Sequence, residues 1–233
     1  MSIADIRTVA ETGSTNDDVA ALASAGAADG LWLRAEQQSG GKGRQGRAWR
    51  SPPGNLYAST LVRLRTGDPP APSLALVAAV ALHDAATVFA PDAAIRIKWP
   101  NDLLAGPAKL AGILLERAGD AVVIGFGVNL AHFPDDIGRP ATSVAALIGH
   151  APEPNAFCET LAEALARRLV LWRSAGLEPI RAAWLGAAHK RGTALVTPEG
   201  EGLFDGLDES GALRLRTPDG AVRLVHAGDV FLL

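Results

Sequence analysis

The chain has a single cysteine among its 233 residues, Cys158. An intrachain disulfide therefore cannot form, and a reducing cytoplasm is the simplest setting. Residues 1–5 lack the basic start and apolar run of a secretory signal, and the longest apolar run, 74–82, is far shorter than the ~20 residues that a bilayer requires. These absences predict a cytoplasmic protein without a membrane segment.

Neither sign of charge is in excess, and aromatic residues are scarce. Lysine and arginine number 22 against 25 aspartate and glutamate residues, and aromatics make up 5% of the chain. Such a surface lacks the general attraction for polyanions that nucleic acid binders show. Any basic site must therefore be local.

The signatures of several enzyme classes are missing as well. The histidines show no close metal-ligand spacing, and no serine lies in a Gly-x-Ser-x-Gly sequence. Cys158 falls within a predicted helix, where packing explains it better than catalysis does. No metal ligands can be assigned from spacing.

Hydrophobic residues make up 48% of the chain, enough for a real core. Short links join the later strands, which favours an antiparallel or mixed sheet. Thr15 is predicted to cap a first helix and Ser73 a second, whose buried face includes Val88. The predicted strands are 6–9, 31–35, 56–64, 95–99, 109–116 and 121–128, and the predicted helices are 16–25, one after Ser73, 155–172 and 178–188.

Beyond about residue 192 the pattern changes to short β-rich runs separated by turn sequences such as Pro-Asp-Gly at 218–220. This spacing predicts a small barrel of about five strands. We expect two domains, a catalytic domain at 1–188 and a small β domain at 189–233.

A glycine-rich basic loop at 38–47 is the first candidate site. Its residues 41–46 match Gly-x-Gly-x-x-Gly, but the prolines at 52 and 53 prevent the helix that would hold a dinucleotide. Gly43 stands where a Walker A loop needs serine or threonine. The loop presents Lys42, Arg44 and Arg47 with free backbone amides, which suits a polyanion, although a solvated surface loop remains an alternative.

Three further positions carry weaker signals. Asn101 and Asp102 follow a predicted strand, where binding groups are common but where turn residues are common too. Lys109 could neutralise a negative charge, although an isolated lysine is usually solvated. Asn129 follows two glycines that permit close approach of a ligand or of another chain segment.

In this order and spacing, the segments resemble the catalytic domain of the biotin-protein ligases. The matching segments are 13–16, Gln38 with 41–49, 51–57, 98–102, 109–114 and 125–129. The resemblance implies an α+β fold, with a mixed, largely antiparallel sheet and flanking helices as in class II aminoacyl-tRNA synthetases, plus a C-terminal SH3-like β-barrel. A helix-turn-helix domain would not fit before Gly13, so no specific DNA binding is expected.

The resemblance also implies roles for individual residues. Ser14, Thr15, Asn16 and Gln38 are expected to bind the ureido ring of biotin, with Trp49 as an apolar wall. Lys42, Gly43, Arg44 and Arg47 would clamp the adenylate, the first three also contacting biotin, and Lys109 would bridge the biotin carboxylate and the α-phosphate. Asn101, Asp102 and Asn129 are assigned to the nucleotide, and Asp102 is a candidate to place magnesium. Arg44 and Lys109 are the expected catalytic residues.

The implied substrates are biotin and ATP with Mg²⁺, and the implied partner is the biotin carboxyl carrier protein of a carboxylase. Lys42 departs from the family, which more often has arginine there, so the charge is kept but the planar fork is lost. The loop is expected to close over the adenylate. A homodimer is left open. The alternatives are a lipoate or octanoate transferase of related fold and a non-enzymatic RNA-binding module.

Overall fold

The computed structural model describes residues 5–135 and 138–232 and contains two β-sheets. The strands of the first sheet are β1 (Ile6–Thr12), β2 (Trp32–Gln38), β3 (Leu56–Arg63), β4 (Ile95–Lys98), β5 (Asp102–Ala105), β6 (Ala108–Ala118) and β7 (Ala121–Val128). Their order is β1-β2-β3-β7-β6-β5-β4, with β1 and β2 parallel and every other pair antiparallel. The sheet is thus mixed and largely antiparallel, as predicted.

Helices cover both faces of this sheet. They are α1 (Thr15–Ser24), α2 (Leu74–Phe89), α3 (Val144–Ile148), α4 (Pro154–Ala175) and α5 (Glu178–Ala187). The main core lies on the face of α2, α4 and α5, while α1 closes a smaller core on the other face around Val19 and Leu61. The polar start of α1 therefore lies against the opposite face of the sheet from the main core.

Most of helix α2 is buried. The stretch Ala71–Phe89 is long and apolar enough to cross a membrane by length and composition alone. However, 61% of it is buried inside the protein, where it packs on α4 and α5. This is the setting of a core helix.

The second sheet contains β8 (Ala194–Thr197), β9 (Gly200–Leu207), β10 (Leu213–Arg216), β11 (Val222–Val225) and β12 (Phe231–Leu232), in the order β11-β10-β9-β8-β12. All of its pairs are antiparallel. Its apolar side joins the main core, and the rings of Trp184 and Phe204 lie 6.3 Å apart. Five short strands agree with the predicted barrel.

Four details differ from the sequence predictions. Ser14, not Thr15, precedes α1 as its N-cap, because the helix already begins at Thr15. Ser73 is helical and its side chain caps nothing, since its hydroxyl donates to Pro70 O and accepts from Trp172. Val88 is 65% exposed. The strand β5 and the short helix α3 were not predicted.

Candidate active site

A cavity opens between the two sheets, close to the first turn of α1. It gathers residues that are far apart in the sequence. All but one of the predicted site residues line it: Ser14, Thr15, Asn16, Gln38, Lys42, Gly43, Arg44, Arg47, Trp49, Asn101, Asp102 and Lys109. The exception is Asn129, which is described below.

One end of the cavity is polar and uncharged. Thr15 and Asn16 are buried where α1 begins, and the hydroxyl of Ser59 lies 2.7 Å from Thr15 Oγ1 and 2.6 Å from Asn16 Oδ1. Gln38 Oε1 accepts from the backbone amide of Thr15 at 2.8 Å, and its Nε2 donates to Ser51. These bonds fix which way each amide points, so this end offers oriented donors and acceptors. Ser59 was not predicted.

Asn16 is held from outside the cavity as well. Its Nδ2 donates to a carboxylate oxygen of Glu116 at 2.6 Å. A Cβ added at Gly125 would lie 2.2 Å from Asn16 Oδ1. The first of the two glycines in β7 therefore makes room for a side chain of the site rather than for another chain segment.

The basic loop is folded against the cavity by backbone bonds. Gly43 N donates to Arg47 O at 2.7 Å, and Trp49 N donates to Gly41 O at 2.8 Å. After a single 3₁₀ turn at Arg44–Gly46 the chain is extended, so no α-helix follows the glycines. The structure thus agrees with the rejection of a dinucleotide loop.

The side chains of this loop reach the C-terminal sheet. Arg44 Nη1 donates to Asn101 Oδ1 at 3.3 Å and to Gly228 O at 3.2 Å. Arg47 forms an ion pair of 3.0 Å with Asp229, and Arg44 lies 3.8 Å from the same carboxylate. Two guanidinium groups thus converge on one point of the cavity wall, a geometry that can hold a doubly charged oxyanion.

A buried ion triad forms another part of the wall. Lys109 Nζ lies 2.5 Å from Asp102 Oδ1, and Lys98 Nζ lies 3.2 Å from Asp102 Oδ2. Burial alone would raise the pKa of Asp102, but the two ammonium groups outweigh it and lower that pKa. Burial lowers the pKa of Lys109, and Asp102 offsets this only in part. Asp102 therefore holds Lys109 in place and has both of its oxygens engaged by lysines.

Trp49 separates the polar end from the cations. Its ring lies against Gly127, where an added Cβ would come within 2.5 Å of Trp49 Cε2, and against Gly112. Lys109 Nζ lies 5.4 Å from the ring centroid. An apolar wall next to a cation suits a ligand with a ring at one end and an anionic group at the other.

Asn129 is not brought onto the cavity lining. It is buried, and its Nδ2 donates to Thr142 O at 3.0 Å and lies 3.4 Å from Lys109 O. Its Nδ2 is thus occupied by the backbone carbonyls of Thr142 and Lys109. Its predicted contact with the nucleotide stays a prediction.

The C-terminal segment and a distant loop contribute residues to the cavity that were not predicted from the sequence. Asp229, Val230, Phe231 and Arg139 line the same cavity, and Lys98, quoted only as part of a motif, donates to Val230 O at 2.7 Å. The residues at 227–229 are typical of a turn, and nothing in their sequence indicates a contact with a cavity. No local sequence pattern predicts that residues of the C-terminal sheet form part of the cavity wall.

Cys158 lies in the core and away from this cavity. Burial raises the pKa of its thiol to about 12. Because the thiolate is the reactive form, we expect iodoacetamide at pH 8 to label the native protein very slowly and the urea-unfolded protein readily. Mass spectrometry of the labelled protein measures both rates, and rapid labelling of the native chain would contradict this placement.

Two family profiles match the sequence. That of the Biotin/lipoate A/B protein ligase family matches residues 12–129, and that of the Biotin protein ligase C terminal domain matches residues 194–233. The biotin–acetyl-CoA-carboxylase ligase of Paracoccus denitrificans is 41% identical over 238 residues, which cover 96% of this chain and 98% of that protein. The ligase of the same name from Mycobacterium tuberculosis is 37% identical, and the match covers 95% of this chain and 86% of that protein.

The fold has a close counterpart among solved structures. The biotin protein ligase from Aquifex aeolicus in complex with biotin and ATP superposes with a TM-score of 0.87 at 23% identity, covering 98% of both chains. At that identity the likeness concerns the fold alone. It confirms the predicted α+β architecture with its additional C-terminal sheet.

Proposed function

Since this chain belongs to the biotin/lipoate A/B protein ligase family, we propose that its cavity is where biotin reacts with ATP. The chain is an ATP-dependent biotin–protein ligase, which forms biotinyl-5'-AMP and transfers biotin to a lysine of a carrier protein. The observation that carries the proposal is one cavity with an oriented, uncharged polar end and a cationic end, separated by Trp49.

The polar end is assigned to the ureido ring of biotin. This ring presents two N–H donors and one carbonyl acceptor, and Ser14, Thr15, Asn16 and Gln38 supply hydroxyl and amide groups for them. A site that pairs buried polar groups with a ligand strongly rejects analogues that lack the matching groups. Trp49 and the backbone of Gly43 and Lys42 complete this subsite.

The cationic end is assigned to the carboxylate and the nucleotide. Two anions meet in the first step, and at roughly 4 Å with an effective dielectric near 20 each like-charge pair costs about 4 kcal/mol. Lys109 lies beside Trp49, where the carboxylate would reach the α-phosphate. The nucleotide would then contact the other residues of this end of the lining, which are Arg44, Arg47, Asn101 and Asp102. These cations offset the repulsion as the carboxylate oxygen attacks phosphorus and pyrophosphate leaves.

Magnesium is proposed to arrive with the nucleotide as part of the substrate. Over the described residues, no group of three histidine, cysteine, aspartate or glutamate side chains could hold a metal ion. Asp102 is engaged by two lysines, and Asp229 by two arginines. The described residues thus offer no dedicated cage, and we assign no step to a protein-bound metal.

The acceptor is proposed to be the biotin carboxyl carrier protein of a carboxylase, acting in the cytoplasm. Its lysine attacks the mixed anhydride and releases AMP. We further propose that 1–188 form the catalytic domain and 189–233 the small β domain. A homodimer is compatible with this scheme, and light scattering of the purified protein tests it.

The function is tested by incubating the protein with ATP, labelled biotin and a carboxylase carrier domain. We expect ATP-dependent label on the carrier lysine, and a carrier domain with that lysine changed to arginine serves as the control. Parallel reactions with lipoate and octanoate test the related transferases. Transfer of either acid in preference to biotin would overturn the proposal, as would salt-dependent RNA binding without ATP turnover.

Arg44→Gly is expected to release the adenylate before transfer. The change removes the bonds from the loop to Asn101 and Gly228 and one cation near Asp229, so the loop closes less tightly over the mixed anhydride. Free biotinyl-5'-AMP should then label lysines on an added bystander protein. Bystander labelling is measured by mass spectrometry, with Arg96→Gly on the exposed face of β4 as the control. Labelling confined to the carrier, with unchanged adenylate affinity, would contradict the assignment.

A further inference from the structure

Among the described residues of the cavity, one cation is left unpaired by the carboxylates there. Six basic side chains line it: Lys42, Arg44, Arg47, Lys98, Lys109 and Arg139. The first five share three carboxylates, those of Asp17, Asp229 and Asp102. Over residues 5–135 and 138–232, the guanidinium of Arg139 has neither an ion pair nor a hydrogen bond. A half-buried arginine in this state is available for an anionic ligand.

Arg139 is fixed next to Lys109 by the backbone. Lys109 N donates to Pro140 O at 2.9 Å, and Thr142 N donates to Lys109 O at 2.9 Å, so the segment after Arg139 runs parallel to the chain at Lys109. The buried Asn129 amide binds carbonyls of both segments. Arg139 therefore starts a segment whose position relative to Lys109 is set by four backbone groups.

The two cations act on the same region. Burial is the main cause of the lowered pKa of Lys109, and the charge of Arg139 adds to it, whereas Asp102 opposes it. Like charges held in one cavity repel each other unless an anion lies between them. The protein supplies that anion to Lys109 but not to Arg139.

We propose that Arg139 binds the α-phosphate of ATP, and of the adenylate formed from it. This inference rests on the proposed function. A guanidinium presents a planar fork that matches two phosphate oxygens, whereas the single charge of the biotin carboxylate is already matched by Lys109. Arg139 thus completes a clamp of which Arg44 and Lys109 form the other parts.

The test compares the wild type with Arg139→Ala and Arg139→Lys. In adenylate formation, Arg139→Ala should raise the KM for ATP and the inhibition constant for AMP about tenfold, the usual loss of a charge-assisted hydrogen bond. The KM for biotin and inhibition by pyrophosphate should change less than about twofold, since neither involves the α-phosphate. Arg139→Lys should fall in between, because charge is retained but the fork is lost.

Arg117→Ala is the matched control, because Arg117 is an exposed arginine on β6 that does not line the cavity. Equal effects of Arg117→Ala and Arg139→Ala would overturn the inference. So would a rise in the KM for biotin alone, a loss of pyrophosphate inhibition alone, or no change in any constant. If the wild type forms no adenylate, the proposed function fails, while calorimetric titration of both proteins with AMP still measures the contribution of Arg139.

Discussion

Lys109→Met is expected to lower the rate of adenylate formation about 10²–10³-fold, the usual effect of removing a single preorganised group that stabilises developing charge. The substitution keeps the length of the side chain and its packing beside Trp49 and Gly112. It removes the one ammonium that lies where carboxylate and α-phosphate should meet. Quenched single-turnover reactions with labelled ATP, followed by chromatography of the adenylate, measure the rate of adenylate formation.

Two observations separate this effect from a general loss of structure. Lys109 is one of the two cations that lower the pKa of Asp102, so removing it should raise that pKa while Lys98 still pairs with the carboxylate. The thermal unfolding midpoint should therefore fall only slightly at neutral pH. Lys190→Ala, which removes an exposed lysine outside the cavity lining, should react like the wild type. A Lys109→Met protein with full activity would overturn the catalytic assignment.

Gly127→Ala is expected to lower kcat/KM for biotin about 100-fold, the scale of loss that follows a displacement of about 1 Å in a site. The new methyl group would lie 2.5 Å from Cε2 and 2.7 Å from Nε1 of Trp49, so the indole ring must leave its position. The strand itself cannot move aside, because Gly127 is paired with Tyr57 on one side and with Gly112 on the other. The KM for ATP should change much less.

A double-mutant cycle tests the mechanism of this loss. If Gly127→Ala acts by displacing the ring, it should add little to Trp49→Ala, since the ring is already gone. Gly186→Ala is the matched control: the residue lies in α5, nothing lies within 4 Å of its added Cβ, and the change should stabilise the helix. Strictly additive losses in the cycle would show that Gly127 matters for another reason.

The parts of the fold that the sequence predicted well are those with strong local signals. The predicted strands 109–116 and 121–128 form the hairpin of β6 and β7, which turns at Gly119 and Asp120. The helix predicted at 155–172 is α4, which ends where Gly176 adopts a positive φ of 76°. The five short strands at the C-terminus follow their turn sequences. In each case neighbouring residues alone determine the structure.

The missed elements depend on distant neighbours. The four residues of β5 were not predicted as a strand, because Asn101 and Asp102 favour turns, yet β4 and β6 pair with this segment on both sides. Val88 fits the apolar spacing of α2, but it lies in the last turn of the helix, where it is exposed. Apolar periodicity predicts which face of a helix is buried, but it does not predict how far along the helix the surface that covers this face extends.

The candidate site divides in the same way. Ser14, Gln38, Arg44 and Lys109 were predicted from motifs, and the structure gathers them around one cavity. The pairing of cations with carboxylates could not be predicted, since Arg47 and Asp229 are 182 positions apart. Which arginine remains unpaired follows only from that pairing.

The bonds from the basic loop to the C-terminal sheet have a consequence for how the cavity opens. Arg44 and Arg47 are held by Gly228 and Asp229, so the loop cannot swing outward while these bonds last. Any outward movement of the loop would therefore break its bonds to Gly228 and Asp229, so the C-terminal sheet restrains a loop that precedes it in the chain by 182 positions, counted from Arg47 to Asp229.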